Sequence, residues 1–229
     1  MIEVKTKLFD RIRLIAGRPL LQSEVDAINA ILDGSPEGIV HKLVNPPAFF
    51  DAVRSGFHKL TVPQVEGFET LLAAFGVAGW GAGWVANALA TAWLETNETM
   101  KPVREAYWLS EEWRKRNLRY YPWYGRGYVQ LTWEKNYTRA DTELGLGGKL
   151  LAAPDLAMEP ANAARIMVAG MSEGWFTGKK LSDYIPAGGE GAADQHKQAR
   201  RIINGTDRWD DLTAFAMKFQ DALEAGKWA

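Results

Sequence analysis

Beyond residue 80, apolar residues recur at the spacing that places them on one face of an α-helix. This pattern predicts helices over residues 84–99, 134–144, 160–173, 194–203 and 208–225. Residues 118–133 differ, because they are aromatic, interrupted by glycine and alternating in polarity. In an extended segment, one face would carry Tyr128, Gln130 and Thr132, and the other Val129, Leu131 and Trp133. We therefore predict a mainly α fold with one small hairpin.

The first 80 residues contain an internal repeat. Residues 9–13 (FDRIR) are matched by residues 50–54 (FDAVR), and the apolar pattern of residues 20–32 is matched by that of residues 60–72, at an offset of 40 to 41. Such a repeat predicts a duplicated helix–turn–helix unit. In the second copy, Thr61 suits the N-cap of a helix and Pro63 suits its first turn. We divide the chain into a small N-terminal helical accessory unit, residues 1–46, and a main domain, residues 47–229.

Composition excludes several classes of function. The net charge is −1, so no overall field attracts nucleic acid or an anionic membrane. The chain has no cysteine, and its three histidines lie far apart, which argues against a zinc enzyme. Residues 70–94 carry no charge, but glycines interrupt their first half, so we expect a buried helix and no stable membrane insertion. The N-terminus lacks the apolar core of a secretion signal, which favours a cytosolic protein.

A polar stripe marks the helix that contains Glu95. Asn87, Thr91 and Glu95 are spaced at i, i+4 and i+8, and Glu98 follows three residues later. A second carboxylate, Glu105, lies beyond Pro102, where we expect the chain to turn and bring it opposite Glu95. Glycosidases use a pair of carboxylates to hydrolyse the glycosidic bond. A surface stripe at the end of a core helix explains the pattern about equally well.

Four separated motifs carry a more specific resemblance. They are residues 92–105 (AWLETNETMKPVRE), 124–137 (YGRGYVQLTWEKNY), 170–181 (GMSEGWFTGKKL) and 200–207 (RRIINGTD). Together with the unit that begins near residue 48, they resemble, in the same order, the phage endolysins of glycoside hydrolase family 19. One position departs from that pattern, because the family usually has histidine where this chain has Leu94. The resemblance covers residues 48–225 and leaves the first repeat outside.

The resemblance implies a lysozyme-like helical catalytic domain and a role for each matching residue. Glu95 would be the general acid, Glu105 the general base, and Thr132 would hold the attacking water. Gln130, Asn136 and Asn204 would hydrogen-bond the sugar chain. Tyr137 and Arg126 join the expected substrate-binding set, although Arg126 could instead lock its loop. The family inverts the anomeric carbon without a metal or organic cofactor. Among the tryptophans, we expect Trp84, Trp93 and Trp133 in the core and Trp108, Trp123 and Trp175 as candidates for stacking on sugars.

The function expected from these features is that of an endolysin. It would hydrolyse β-1,4 bonds in the glycan strands of bacterial peptidoglycan and lyse the host cell. The alternatives are a chitinase, a non-catalytic wall-binding homologue, and an effector delivered to rival bacteria. We expect a monomer that stays in the host cytoplasm until a holin releases it to the cell wall or periplasm. Wall binding is the candidate role for residues 1–46.

Overall fold

A computed structural model describes residues 41–229, and this part of the chain is mainly helical. Its α-helices are α1 (Pro46–Gly56), α2 (Val62–Val77), α3 (Ala82–Glu95), α4 (Glu111–Asn117), α5 (Glu134–Glu143), α6 (Lys149–Ala152), α7 (Pro160–Glu173), α8 (Ala193–Ala199) and α9 (Trp209–Ala225). Short 3₁₀ helices cover Pro154–Met158, Leu181–Asp183 and Arg200–Ile202. The one sheet in these residues pairs strand β1 (Val103–Arg104) with strand β2 (Arg126–Gly127), antiparallel.

Helix α3 is the centre of the core, as its lack of charge predicts. Every residue from Val85 to Leu94 is buried, Trp84 is partly buried, and α9 packs along α3 more extensively than any other element does. Aromatic rings from three helices meet at Trp93, which contacts Phe68 of α2 and Phe219 of α9. The prediction of a buried helix is confirmed. No helix within residues 41–229 is long and apolar enough to cross a membrane.

Side-chain caps set the starts of the first two helices. Asn45 accepts a hydrogen bond from the backbone N–H of Ala48 (3.3 Å), and two prolines follow it in the first turn of α1. Thr61 begins α2 with a capping box, in which the Gln64 side chain accepts from the Thr61 backbone N–H (2.8 Å). The predicted cap at Thr61 and the early position of Pro63 are confirmed.

Residues 41–45 are tied to the end of the chain. The backbone N–H of Lys42 donates to the Ala229 carbonyl (2.8 Å), and that of Asn45 donates to the Gly226 carbonyl (2.9 Å). Leu43 forms an antiparallel bridge with Trp228. These contacts attach the segment before α1 to α9. Almost all of the predicted accessory unit, residues 1–46, lies outside the described residues, so its helical character stays a prediction.

Two helix boundaries differ from the prediction. The helix predicted over residues 84–99 ends at Glu95, because Asn97 and Glu98 adopt left-handed backbone conformations and the Glu98 N–H donates back to the Trp93 carbonyl (2.7 Å). The helix predicted over residues 194–203 is α8 followed by a 3₁₀ turn, Arg200–Ile202. A charged side chain stands at each of these two places: Glu95 at the end of α3 and Arg200 at the start of the 3₁₀ turn.

The segment after β2 is a tight turn, so the predicted extended alternation over residues 128–133 is wrong. The Arg126 and Leu131 backbones bridge each other, with Leu131 N–H donating to the Arg126 carbonyl (2.8 Å). Gly127 and Gln130 both have positive φ, which reverses the chain between them. As a result Tyr128 and Val129 are both buried, and Trp133 is 41% exposed instead of an anchor in the core.

Candidate active site

Glu95 ends helix α3 and is held by an arginine from the far end of the sequence. The Arg200 Nη1 donates to Glu95 Oε1 at 2.6 Å, and the two side chains are only 2% and 15% exposed. Arg200 is itself fixed, because its Nε donates to the Asp207 carbonyl (2.8 Å). A buried cation requires such partners, since its desolvation is otherwise costly. The carboxylate at the end of α3 therefore has a defined position.

The chain after Glu95 turns back at once. The Thr96 hydroxyl donates to the Ala92 carbonyl (2.7 Å) and accepts from the Met100 N–H (3.1 Å), which closes the turn. Met100 is buried against α2, where a Cβ on Gly67 would collide with the Met100 carbonyl. This close approach explains why glycine stands at position 67. The reversal predicted near Lys101 thus begins several residues earlier, and it delivers the chain to strand β1.

Glu105 follows β1 and is positioned by the hairpin. Its backbone N–H donates to the Gly125 carbonyl (2.7 Å), and the Gly125 N–H donates to Glu105 Oε2 (2.9 Å). The Tyr120 hydroxyl donates to the other oxygen, Oε1 (2.6 Å). Burial, together with the hydrogen bond to Glu105, raises the pKa of Tyr120 to about 12, so this phenol keeps its proton and remains a donor. From behind, Arg114 Nε donates to the Glu105 carbonyl (2.9 Å).

The two carboxylates line one cavity. It has a volume of about 440 Å³ and is open to solvent along one side. The side chains that share it with Glu95 and Glu105 are Asn97, Val103, Arg104, Ala106, Tyr107, Trp108 and Gln130. Polar groups and aromatic rings in a cleft with two acids are the components of a site for a polar polymer such as a glycan.

Glu98 belongs to a different place, as expected for a hydrogen-bonding neighbour. It is exposed, and its Oε2 lies 3.1 Å from His58 Nε2 in a separate surface cavity that also contains Lys59 and Thr61. Hydrogen bonds to the Lys59 carbonyl and to Glu98 raise the pKa of His58. Glu98 therefore does not share the cavity of Glu95.

Gln130 reaches the cavity, and Thr132 lies directly behind it. Gln130 Nε2 donates to the Val103 carbonyl (3.2 Å), which fixes the amide against β1. The Thr132 hydroxyl is partly buried and donates to the Gln130 carbonyl (2.7 Å). Because a hydroxyl that donates once still has lone pairs, Thr132 can also accept from a water. The water-holding role of Thr132 stays a prediction.

Arg126 and Tyr137 form a buried lock within the loop. Arg126 Nη1 donates to the Pro122 carbonyl and to the Tyr137 hydroxyl, both at 2.9 Å, and its Nε donates to Asp155 Oδ1 (2.8 Å). The Tyr137 hydroxyl donates to the Tyr124 carbonyl (2.8 Å), and burial raises the pKa of Tyr137. Neither side chain reaches the cavity, because each is enclosed by its own loop. The expected sugar contacts of Arg126 and Tyr137 have no support in this geometry, which favours the locking role for both.

The two expected asparagine ligands lie in different surroundings. Asn136 is buried, and its Nδ2 donates to the Thr132 carbonyl (2.9 Å), so it supports the loop that presents Gln130. Asn204 is exposed on the loop that follows Arg200, with its Nδ2 at 3.4 Å from Asp207 Oδ2. Its loop therefore adjoins Glu95 through Arg200. Sugar binding by Asn204 stays a prediction, whereas Asn136 does not line the cavity.

The tryptophans separate into clear classes. Trp108 is 71% exposed and lines the cavity beside Tyr107, which makes it the best placed of the stacking candidates. Trp175 is buried and Trp123 packs on Tyr137, so neither ring presents an open face in the cavity. Stacking by these two residues has no support in this geometry.

Two residues that position the carboxylates were not identified from the sequence. Arg200 stands in the motif at residues 200–207, from which only Asn204 was selected. Tyr120 stands in the aromatic stretch that precedes the glycine motif. The only signal for Arg200 was its place in that motif, where the pair Arg200–Arg201 stands two residues before Asn204–Gly205. Nothing in the sequence pairs either residue with its glutamate.

The described residues form a mainly helical domain with one small two-stranded hairpin, which is the architecture of the lysozyme-like fold. The structure is similar to the crystal structure of chitinase C from Streptomyces griseus HUT6037, with a TM-score of 0.53 and 20% identity over 78% of this chain and 76% of that chain. No protein-family model matches the chain, and no curated protein matches it in sequence. The likeness confirms the predicted fold class.

Proposed function

We propose that this protein hydrolyses β-1,4-linked glycan of bacterial cell walls by an inverting mechanism that uses Glu95 and Glu105. The observation that carries the proposal is the placement of both carboxylates on one open cleft, each held by its own partners. The fold shared with a protein described as a chitinase supports glycoside hydrolysis in general. The four motifs support the endolysin role.

In this mechanism Glu95 donates its proton to the glycosidic oxygen as the bond to the anomeric carbon breaks. The carboxylate that forms lies 2.6 Å from the Arg200 guanidinium, which stabilises the developing negative charge. Glu95 takes up a proton from solvent before each turnover. Arg200 thus positions the acid and favours the transition state in which charge appears there.

Glu105 takes a proton from the water that attacks the opposite face of the sugar ring. Its oxygens already accept from Tyr120 and Gly125, which fixes the carboxylate plane toward the cleft. The water contributes its oxygen to the anomeric carbon, and the leaving sugar gains the proton of Glu95. An inverting pair needs a carboxyl separation of roughly 6.5–9.5 Å, so that this water fits between the acids.

The proposed role is that of an endolysin: a monomer that accumulates in the host cytoplasm and reaches the wall when a holin opens the membrane. Chitin is the second candidate substrate, because the similar solved structure is described as a chitinase. Both substrates are β-1,4 polymers of N-acetylated sugars, and they differ in the peptides that peptidoglycan carries.

Product analysis tests this function directly. The protein is incubated with purified peptidoglycan and with chitohexaose, and mass spectrometry identifies the new reducing ends. NMR recorded during the reaction should show the α-anomer first, as inversion requires. Glu95→Gln should be inactive on both substrates, because an amide has no proton to donate at neutral pH. A β-anomer as first product would exclude single displacement, and absence of cleavage by the wild type on both substrates would leave only wall binding.

A further inference from the structure

A group of exposed cations adjoins in sequence the two residues that hold Glu105, Arg114 and Tyr120. We name Lys115, Arg116 and Arg119 the basic edge; the first two stand on α4 and the third on the turn that follows it. All three are exposed, and within residues 41–229 none has a carboxylate oxygen within 4.0 Å. On the same helix, Glu111 is engaged by Arg114 and by the Tyr124 hydroxyl. Glu112 precedes Lys115 by three residues, so the basic edge brings three cations next to one acid with which none of them forms an ion pair in the described part of the chain.

Arg119 is held in place by aromatic rings that lead to the base. Its guanidinium lies over the Trp133 ring, 5.1 Å from the centroid. The Trp133 ring in turn contacts the Tyr120 ring (4.9 Å between centroids), and the Tyr120 hydroxyl donates to Glu105. Two ring contacts and one hydrogen bond therefore connect Arg119 to Glu105.

The backbone of Trp133 adopts an unfavourable conformation. Its φ of 75° lies in the left-handed region, which is unfavourable for a bulky residue. The residue is 41% exposed, so its burial is only partial. Such conformations persist where the surrounding structure enforces them, commonly at ligand-binding sites. Here Trp133 holds the Arg119 guanidinium at a position that is connected through Tyr120 to Glu105.

The two candidate substrates differ in their charge. Chitin is uncharged, whereas the stem peptides of peptidoglycan carry free carboxylates close to the glycan strand. Arginine binds carboxylates through two parallel N–H donors, and neighbouring lysine and arginine add attraction at longer range. On the basis of the function proposed above, we propose that the basic edge binds the stem-peptide carboxylates of the strand whose sugars occupy the Glu105 side of the cleft.

Three substrates with related glycans test this proposal. They are sacculi from a Gram-negative bacterium, which lack teichoic acid; the same strands after an amidase has removed the stem peptides; and chitohexaose. The triple variant Lys115→Gln/Arg116→Gln/Arg119→Gln should lose roughly tenfold in kcat/KM on intact sacculi, and less than about twofold on the other two. Arg119→Gln alone should account for most of the loss. Activity on intact sacculi alone should fall steeply with added salt.

Arg139→Gln is the matched control. Arg139 is also an exposed arginine over a tryptophan ring, at 5.0 Å from the Trp175 centroid, but it stands on α5 and is paired with Glu173. This variant should act as wild type on all three substrates. Equal losses by the triple variant on intact and stripped strands would overturn the proposal, because the edge would then contact the sugars. Unchanged activity of the triple variant on intact sacculi would also overturn the proposal. A loss seen only with walls that carry teichoic acid would overturn it as well, because it would indicate that the basic edge binds phosphate.

A binding experiment keeps this proposal separate from the proposed function. Glu95→Gln protein, labelled with ¹⁵N, is titrated with a soluble disaccharide tetrapeptide and with the same compound amidated at its carboxyls. The Arg119 side-chain signal should shift with the first ligand and not with the second. If the wild type cleaves no glycan and this shift occurs, the proposed hydrolysis is wrong and carboxylate binding by the basic edge is supported. If all glycans are cleaved and no shift occurs, the proposed hydrolysis is supported and carboxylate binding by the basic edge is wrong.

Discussion

Replacing Arg200 tests whether the ion pair at the end of α3 holds the proposed acid. Arg200→Gln leaves the mostly buried Glu95 carboxylate without its cation and the Asp207 carbonyl without its donor. Removing one member of a buried pair costs about 3–5 kcal/mol. Because each kcal/mol lowers Tm by roughly 2–4 °C in a domain of this size, the expected decrease is roughly 6–20 °C. Glu95 retains some contact with water, so the lower half of that range is expected.

Calorimetry at pH 7 measures this effect, and two further variants make it specific. Arg139→Gln breaks a half-exposed pair with Glu173 and should cost at most about 1 kcal/mol. The double variant Glu95→Gln/Arg200→Gln should be more stable than the sum of the single effects predicts, because no buried charge remains without a partner. In the same samples, kcat of Arg200→Gln should fall by roughly 10²-fold. If Arg200→Gln lowers Tm no more than Arg139→Gln does, or if the single effects add, the pair does not hold Glu95.

Three remaining predictions concern chemistry and stability, and a fourth concerns the N-terminal unit. Glu105→Gln should lose nearly all activity on peptidoglycan, whereas Glu98→Gln should keep most of it; exchanged outcomes would make Glu98 the base. Thr132→Ala should lower kcat with little change in KM, as expected for a contact made in the transition state, and a pure KM effect would make Thr132 a sugar ligand. Burial lowers the pKa of His196. The contribution of this residue to stability is therefore present above pH 6.5 and is lost as the pH falls through the folded-state pKa. Urea unfolding at pH 7.5 and pH 5 should show this loss in the wild type and less of it in His196→Gln. A chain that begins at His41 should retain activity on soluble oligosaccharides and lose activity on intact walls if the accessory unit targets them; equal activity on intact walls would exclude that role.

The order of the helices and the position of the acids follow from local pattern. The charge-free stretch before Glu95 must be buried, Thr61 and Pro63 mark a helix start, and Pro102 ends any continuation toward Glu105. These are effects of residues within a few positions of one another, which a periodicity or a cap reveals without knowledge of the fold. The presence of one small hairpin was also predicted, but its pairing of residues 103–104 with residues 126–127 joins segments that no local pattern connects.

The turn after β2 shows where local pattern fails. Alternating polarity over residues 128–133 resembles a strand, but left-handed backbone at Gly127 and Gln130 reverses the chain and exchanges the environments of Tyr128 and Trp133. In this conformation the Gln130 side chain donates to the Val103 carbonyl across the hairpin. Such a contact depends on two strands meeting, which the alternation of one strand does not encode.

The partners of the two carboxylates were decided only by the tertiary structure. Arg200 is 105 positions from Glu95 in sequence, and Tyr120 is 15 positions from Glu105 across a loop. The sequence by itself determined which residues could supply charge and roughly where α3 and the hairpin would present them. Which donor meets which oxygen depends on how α8 and its 3₁₀ turn pack against the end of α3, and on where the loop after α4 crosses the hairpin. Those packings arise from burial of apolar faces on separate helices, a non-local balance that no single segment of the chain contains.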